Sequence, residues 1–207
     1  MQPRSTPRLA LGAGALCLAT AAPAHAHDAT SAQLGVSSKR LNVKVGSRAA
    51  VSGRAQAPAG STAALQILRH GRWITLDRDR TSVRGRFRLH RRLRRPLSAR
   101  ARVRLSGGAT RSLGRLNVYR SALASWYGPG LYGRGTGCGG TLSPGRLGVA
   151  NKWLPCGARV TLRYRGRVVR VPVIDRGPYS GLREFDLTAA TAHRLRFRGH
   201  HAILVTR

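Results

Sequence analysis

The 207-residue chain carries 38 Lys and Arg against 6 Asp and Glu, a formal charge of +32. The basic residues, nearly all arginine, are spread along the chain rather than gathered in one run, which is the pattern of a solvated face more than of a nucleic-acid patch. Beyond the first 26 residues no stretch is apolar and long enough to cross a bilayer, which excludes stable membrane insertion of residues 27–207.

The N-terminus reads as a signal peptide over residues 1–26. Arg4 and Arg8 form a basic start, an apolar run of small residues extends from Leu9 to Ala22, and Ala24-His25-Ala26 has the small-x-small form of a cleavage site. Cys17 follows Leu16 rather than a small residue, so plain export is expected rather than lipidation. The expected location is secreted or in the cell wall. An exported basic protein meets anionic wall polymers, anionic lipids and wall carboxylates, and nucleic acid drops out as a partner.

Residues 27–119 predict an Ig-like β-sandwich. "LNVKVG", "ALQILRHGRWITL", "GRFRLHRRL" and "ARARVRL" alternate apolar and polar residues, as half-buried strands do. Gly46, Gly53, Pro58-Ala59-Gly60, Gly71, Gly85 and Gly107-Gly108 supply the turns between them. Trp73 is expected to anchor the core. Asp77 and Asp79 lie among arginines at a strand end and read as turn chemistry.

Residues 120–207 have a different texture. "WYGPGLYGRGTGCGGTLSPGRLG" is rich in Gly and aromatic residues. The strands "ARVTLRYRGRVVRVPVID" and "HAILVTR" come after it, and "DLTAATAHRL" between them predicts one helix capped by Asp186 or Thr188. Cys138 and Cys156 are an even, close pair in an exported chain and read as a disulfide. No further His or Cys lies close enough to either to suggest zinc, and no metal is expected.

Three of the six acids, Asp175, Glu184 and Asp186, fall within "VIDRGPYSGLREFDL". Asp175 leaves a buried strand at a Gly-Pro turn and is placed to face a groove. Asp186 either caps the helix or faces the same groove. Glu184 reads as a surface residue paired with an arginine. Trp126, Tyr127 and Tyr132 flank glycines, where aromatic faces stack on sugar rings; Trp153 and Tyr179 are weaker candidates.

From Ala124 onward the motifs Ala-Ser-Trp-Tyr-Gly-Pro, Leu-Pro-Cys-Gly, Asp-Arg-Gly-Pro-Tyr and Phe-Asp-Leu-Thr resemble the rare lipoprotein A (RlpA) family, of the actinobacterial type. The resemblance implies an all-β protein in which a six-stranded double-psi β-barrel with one or two short helices succeeds the sandwich. It implies a monomer without cofactor that acts on peptidoglycan glycan strands as a lytic transglycosylase. It also implies roles: Asp175 as the acid/base and Asp186 as its partner. Arg176 and Tyr179 of the same turn are candidate substrate contacts. The family's barrel is shared with expansins, which implies an alternative, a non-catalytic module that grips peptidoglycan or anionic wall polymer. One departure favours that alternative. Asn151 stands in "VANKWLP" where catalytic members carry a His, and an amide hydrogen-bonds a sugar but relays no proton.

Overall fold

The computed structural model of the chain describes residues 33–207. The signal-peptide expectation for residues 1–26 lies outside the described residues. Thirteen strands and one helix succeed one another: β1 Leu34–Arg40, β2 Asn42–Lys44, β3 Arg48–Ala55, β4 Thr62–Arg69, β5 Arg72–Arg80, β6 Arg86–Arg92, β7 Leu97–Leu105, β8 Thr110–Tyr127, β9 Val149–Ala150, β10 Arg159–Tyr164, β11 Arg167–Asp175, β12 Phe185–Thr188, α1 Ala189–Leu195 and β13 His201–Val205. Among the described residues no helix is long and apolar enough to cross a membrane.

The N-terminal strands form two layers, antiparallel except where β2 runs parallel to β8, and their period-two alternation gives each layer one apolar face. One has the order β1-β3-β6, the other the order β5-β4-β7-β8 with β2 added alongside β8. Their inner faces meet in one core around Val51, Leu65, Ile67, Phe87, Leu89 and Val103. Each such side chain stabilises by roughly 1.5–3 kcal/mol on burial. Trp73 is not in that core; it is half-buried, and the Arg102 guanidinium lies 3.9 Å from its ring centroid.

Asp77 and Asp79 differ from the expectation of turn chemistry. Both lie in β5 and, being two residues apart, share one face of it. Asp77 Oδ2 accepts a hydrogen bond from the backbone N–H of His90 (2.7 Å), and Asp79 Oδ2 accepts one from that of Arg88 (2.7 Å). β5 and β6 are the edges of their sheets, so the two carboxylates join the layers and satisfy N–H groups that the ladder leaves unpaired.

β8 is 18 residues long and serves both halves of the chain. Its first part pairs with β7 and β2, and its last part with β13 and β12. The strands β8, β13, β10, β11, β9 and β12 are joined in that order, and β12 pairs again with β8, which closes a six-stranded barrel. Closure removes the open edges of this sheet. The barrel has its own core, including Val160, Leu162, Val171, Phe185, Leu187 and Val205. Two features of the barrel bring its acids together. β12 runs parallel to β8 with Asp186 opposite Ser125, and β9 lies between β11 and β12.

The helix begins later than "DLTAATAHRL" suggested. Asp186 belongs to β12, and Thr188 is the cap, its side chain accepting from the N–H of Thr191. Thr191 is fully buried and ties the start of α1 to Gly148, with which its hydroxyl both donates and accepts.

Candidate active site

Asp175 is the last residue of β11 and Asp186 the second of β12. Ala150 of β9 is in register with both of them. Adjacent strands are ~4.8 Å apart, so the two aspartate backbones stand about 10 Å apart across one alanine methyl. The space between is a cavity of about 300 Å³ lined by Tyr127, Thr136, Ala150, Asp175, Arg176 and Asp186, together with Arg134 and other residues of the Gly-rich loop.

The Asp175 carboxylate is fixed on one side only. Its Oδ1 accepts the backbone N–H groups of Gly137 (2.7 Å) and Arg176 (2.8 Å). Among the described residues its Oδ2 accepts no hydrogen bond. Gly137 is needed for that arrangement: a Cβ there would sit 2.8 Å from Arg176 Cγ and 3.1 Å from its backbone nitrogen, so a side chain would lift the loop off Asp175. Cys138 adds a second anchor, its N–H donating to Ile174 O and its sulfur bonded to Cys156. The disulfide expected from the sequence is therefore what binds the Gly-rich loop to the start of β10.

Asp186 is held in a similar one-sided way. Its Oδ1 accepts from the Ser125 hydroxyl and lies 3.7 Å from the Arg183 guanidinium, which itself donates to Ser125 (2.8 Å). Close to both acids, and nearer in influence to Asp175, is the Tyr127 hydroxyl. It is buried and has no hydrogen-bond partner among the described residues. Burial first, and the charge of the neighbouring Asp175 second, push its pKa well above the ordinary phenol value, so it stays protonated. The phenol lies close enough to Asp175 for a hydrogen-bonding contact with that carboxylate to raise its pKa further, although no bond of normal geometry joins the two. A buried phenol and a carboxylate thus lie together at one small cavity.

Residues 120–206 match the model of the lytic transglycolase family of double-psi barrels. This segment belongs to that family. The same region is 41% identical over 78 residues to the probable endolytic peptidoglycan transglycosylase RlpA of Synechocystis, covering 37% of this chain and 24% of that protein. It is 40% identical over 75 residues to the endolytic peptidoglycan transglycosylase RlpA of Campylobacter jejuni, covering 35% and 27%. The chain thus spans about a quarter of the length of these curated relatives. A solved structure, the Streptomyces papain inhibitor, is similar at 24% identity and a TM-score of 0.33, over 43% of this chain and 94% of that one.

The RlpA-like barrel brings together some of the residues that the sequence singled out and separates others. Asp175, Asp186, Tyr127 and Arg176 line one cavity. The Arg176 guanidinium is itself engaged, donating to Asn151 O (3.1 Å), Leu154 O (2.8 Å) and Cys156 Sγ (2.9 Å). Asn151 is not in the lining. Its side chain is buried, donates to Glu184 O (2.8 Å) and accepts from the N–H groups of Trp153 (3.0 Å) and Leu154 (2.8 Å). The amide therefore holds the 151–154 turn: its oxygen accepts two backbone N–H groups, one of its two N–H groups is used, and burial keeps it out of the cavity lining.

Trp126 lies on the other side of β8 from Tyr127. It lines a separate cavity of about 1110 Å³ beside α1, with Leu147, Ala190, His193 and Phe197. Tyr132 is partly exposed near Gly128 and Tyr179 is largely exposed; neither lines the cavity at Asp175. Glu184 is paired with Arg120 by two short bonds, 2.6 and 2.8 Å. Sequence reading missed Ser125, Arg134 and Thr136. Ser125 stood inside the Ala-Ser-Trp-Tyr motif, and its pairing with Asp186 is given only by the β8–β12 register.

Proposed function

We propose that the barrel is a lytic transglycosylase acting on peptidoglycan glycan strands, with Asp175 as its acid/base. The observation that carries this reading is the Asp175 carboxylate: one oxygen is fixed by two backbone N–H groups, and the other opens onto a cavity shared with Asp186 and an unpartnered tyrosine hydroxyl. In the reaction the glycosidic oxygen takes a proton as the C1–O bond breaks, and the sugar's own 6-hydroxyl attacks C1 while losing its proton. Protons and bonds balance without water, leaving a 1,6-anhydro end. Asp175 Oδ2 donates one proton to the glycosidic oxygen and then accepts another from the 6-hydroxyl, which restores the acid; such a role typically contributes 100-fold to 10,000-fold. Tyr127 donates a hydrogen bond to a substrate oxygen. Asp186, steadied by Ser125 and Arg183, accepts from a sugar hydroxyl. The likeness to proteins named endolytic peptidoglycan transglycosylases supports the same substrate.

The protein works outside the cytoplasm as a monomer. It is exported by residues 1–26, with residues 27–119 as an Ig-like module and the catalytic domain from residue 120. The test is digestion of purified, peptide-stripped glycan strands with mass spectrometry of the ends. Anhydro ends from the wild type, and none from Asp175→Asn, are expected.

A second reading, a wall-binding module without activity, is favoured by one observation. Where a proton-carrying His was expected, Asn151 stands buried, its oxygen taken by two backbone N–H groups and its nitrogen donating to Glu184 O. Co-sedimentation with intact wall and no anhydro product at any enzyme concentration would establish that reading instead.

A further inference from the structure

A second groove of about 740 Å³ lies far from Asp175 and Asp186 in sequence, along the seam where β5 and the end of β6 meet. Six arginines line it: Arg48, Arg69, Arg91, Arg92, Arg94 and Arg95. All six are exposed. Among the described residues none of the six guanidiniums makes a hydrogen bond or ion pair with protein. In the barrel, by contrast, the guanidiniums of Arg176 and Arg183 are engaged by protein groups. The one carboxylate in the groove, Asp77, already accepts the N–H of His90. The floor is apolar, with Ile67, Leu76, Leu93 and Leu97, and Ile74 is 45% exposed beside it.

We infer that this groove is a binding site for a base-free phosphodiester polymer, a chain of polyol phosphates. Free guanidinium forks match phosphate oxygens in pairs, and several in one concavity suit a repeating anion better than a single one. Nucleic acid fits less well. Base recognition on single strands uses aromatic faces, and the groove has none besides the His90 imidazole. The nearest tryptophan in sequence, Trp73, is covered by Arg102 and does not line the groove. The apolar floor accommodates the carbon backbone of a polyol. This site is independent of the barrel's chemistry; it gives the N-terminal half a role as a tether to anionic polymer.

The test uses the full chain and a lipid-free poly(glycerol phosphate). A variant with Arg91, Arg92, Arg94 and Arg95 all changed to Gln is compared with a control in which Arg86, Arg104, Arg111 and Arg167, outside the groove, are changed to Gln. Both lose the same charge. The groove variant is expected to lose on the order of 100-fold in affinity at moderate salt, and its salt slope to flatten by about 3, at ~0.7 per phosphate contact. The control is expected to change several-fold at most. Equal losses in the two variants would mean that only net charge matters and would overturn the proposal. So would tighter binding of single-stranded DNA of equal phosphate count. A measurement on the wild type guards against misfolding of a variant: the polymer is expected to shield Arg91, Arg92, Arg94 and Arg95 from an arginine-modifying dicarbonyl. Shielding spread evenly over all arginines would count against the groove.

Discussion

Replacing Asp175 by Asn separates chemistry from structure at the proposed site. The amide oxygen of Asn takes the place of Oδ1, so the N–H groups of Gly137 and Arg176, now at 2.7 and 2.8 Å, keep an acceptor. Relative to the carboxylate form that the side chain takes after giving up its proton, each bond changes from charged to neutral. Bonds to charged groups contribute about 1.5–3 kcal/mol and neutral ones about 0.5–1.5, so the two together cost about 2 kcal/mol. For a domain of this size that is a drop of several degrees in Tm. The proton carrier, by contrast, is lost outright, because Nδ2 replaces the oxygen that faces the cavity. The expected rate loss is 100-fold to 10,000-fold. Anhydro-ended products counted by mass spectrometry, beside thermal unfolding of the same samples, read both effects. A variant that folds and retains a tenth or more of the wild-type rate would refute the assignment of Asp175 as acid/base.

Tyr127→Phe removes a buried hydroxyl that has no partner, so stability should hold or rise by up to about 1 kcal/mol while glycan turnover falls; a loss of stability would mean that the hydroxyl is bonded. The same residue sets a pH dependence. Its folded pKa is raised, so above the ordinary phenol value of about 10 the unfolded chain releases a proton that the folded chain keeps, and stability falls as pH rises from there. Urea denaturation at increasing alkaline pH should show that slope, and Tyr127→Phe should lessen it. Changing Cys138 and Cys156 together to Ser opens a loop with a sequence separation of 18 and should cost about 3 kcal/mol in urea denaturation. Asp77→Ala and Asp79→Ala each leave a β6 N–H without its acceptor and should cost about 1–3 kcal/mol, less if water reaches the seam; no change in either would show that the seam contributes nothing.

Several residues of the candidate site were legible in the chain. Acids are so scarce that Asp175 and Asp186 stood out unaided, and a Gly-Pro turn after a buried strand marked Asp175 as a rim residue. The paired cysteines and the alternating strands were equally plain, because both are local signals. Even the division of Trp126 from Tyr127 was implicit, since neighbours on a strand face opposite ways. What required the fold were the pairings between distant segments. Asn151 looked like a site residue until its amide met Glu184 O and the turn at 153–154. Asp77 and Asp79 looked like turn residues until β6 came to lie against them. Ser125 meets Asp186 only because β8 and β12 run parallel in one register. Composition makes nearly every arginine look alike, yet Arg176 and Arg183 are engaged by protein groups while those at the β5–β6 seam are not. Hydrogen-bond partners are assigned by closure of the sheets, and no periodicity in the chain encodes which strand edge a given carboxylate or guanidinium will face.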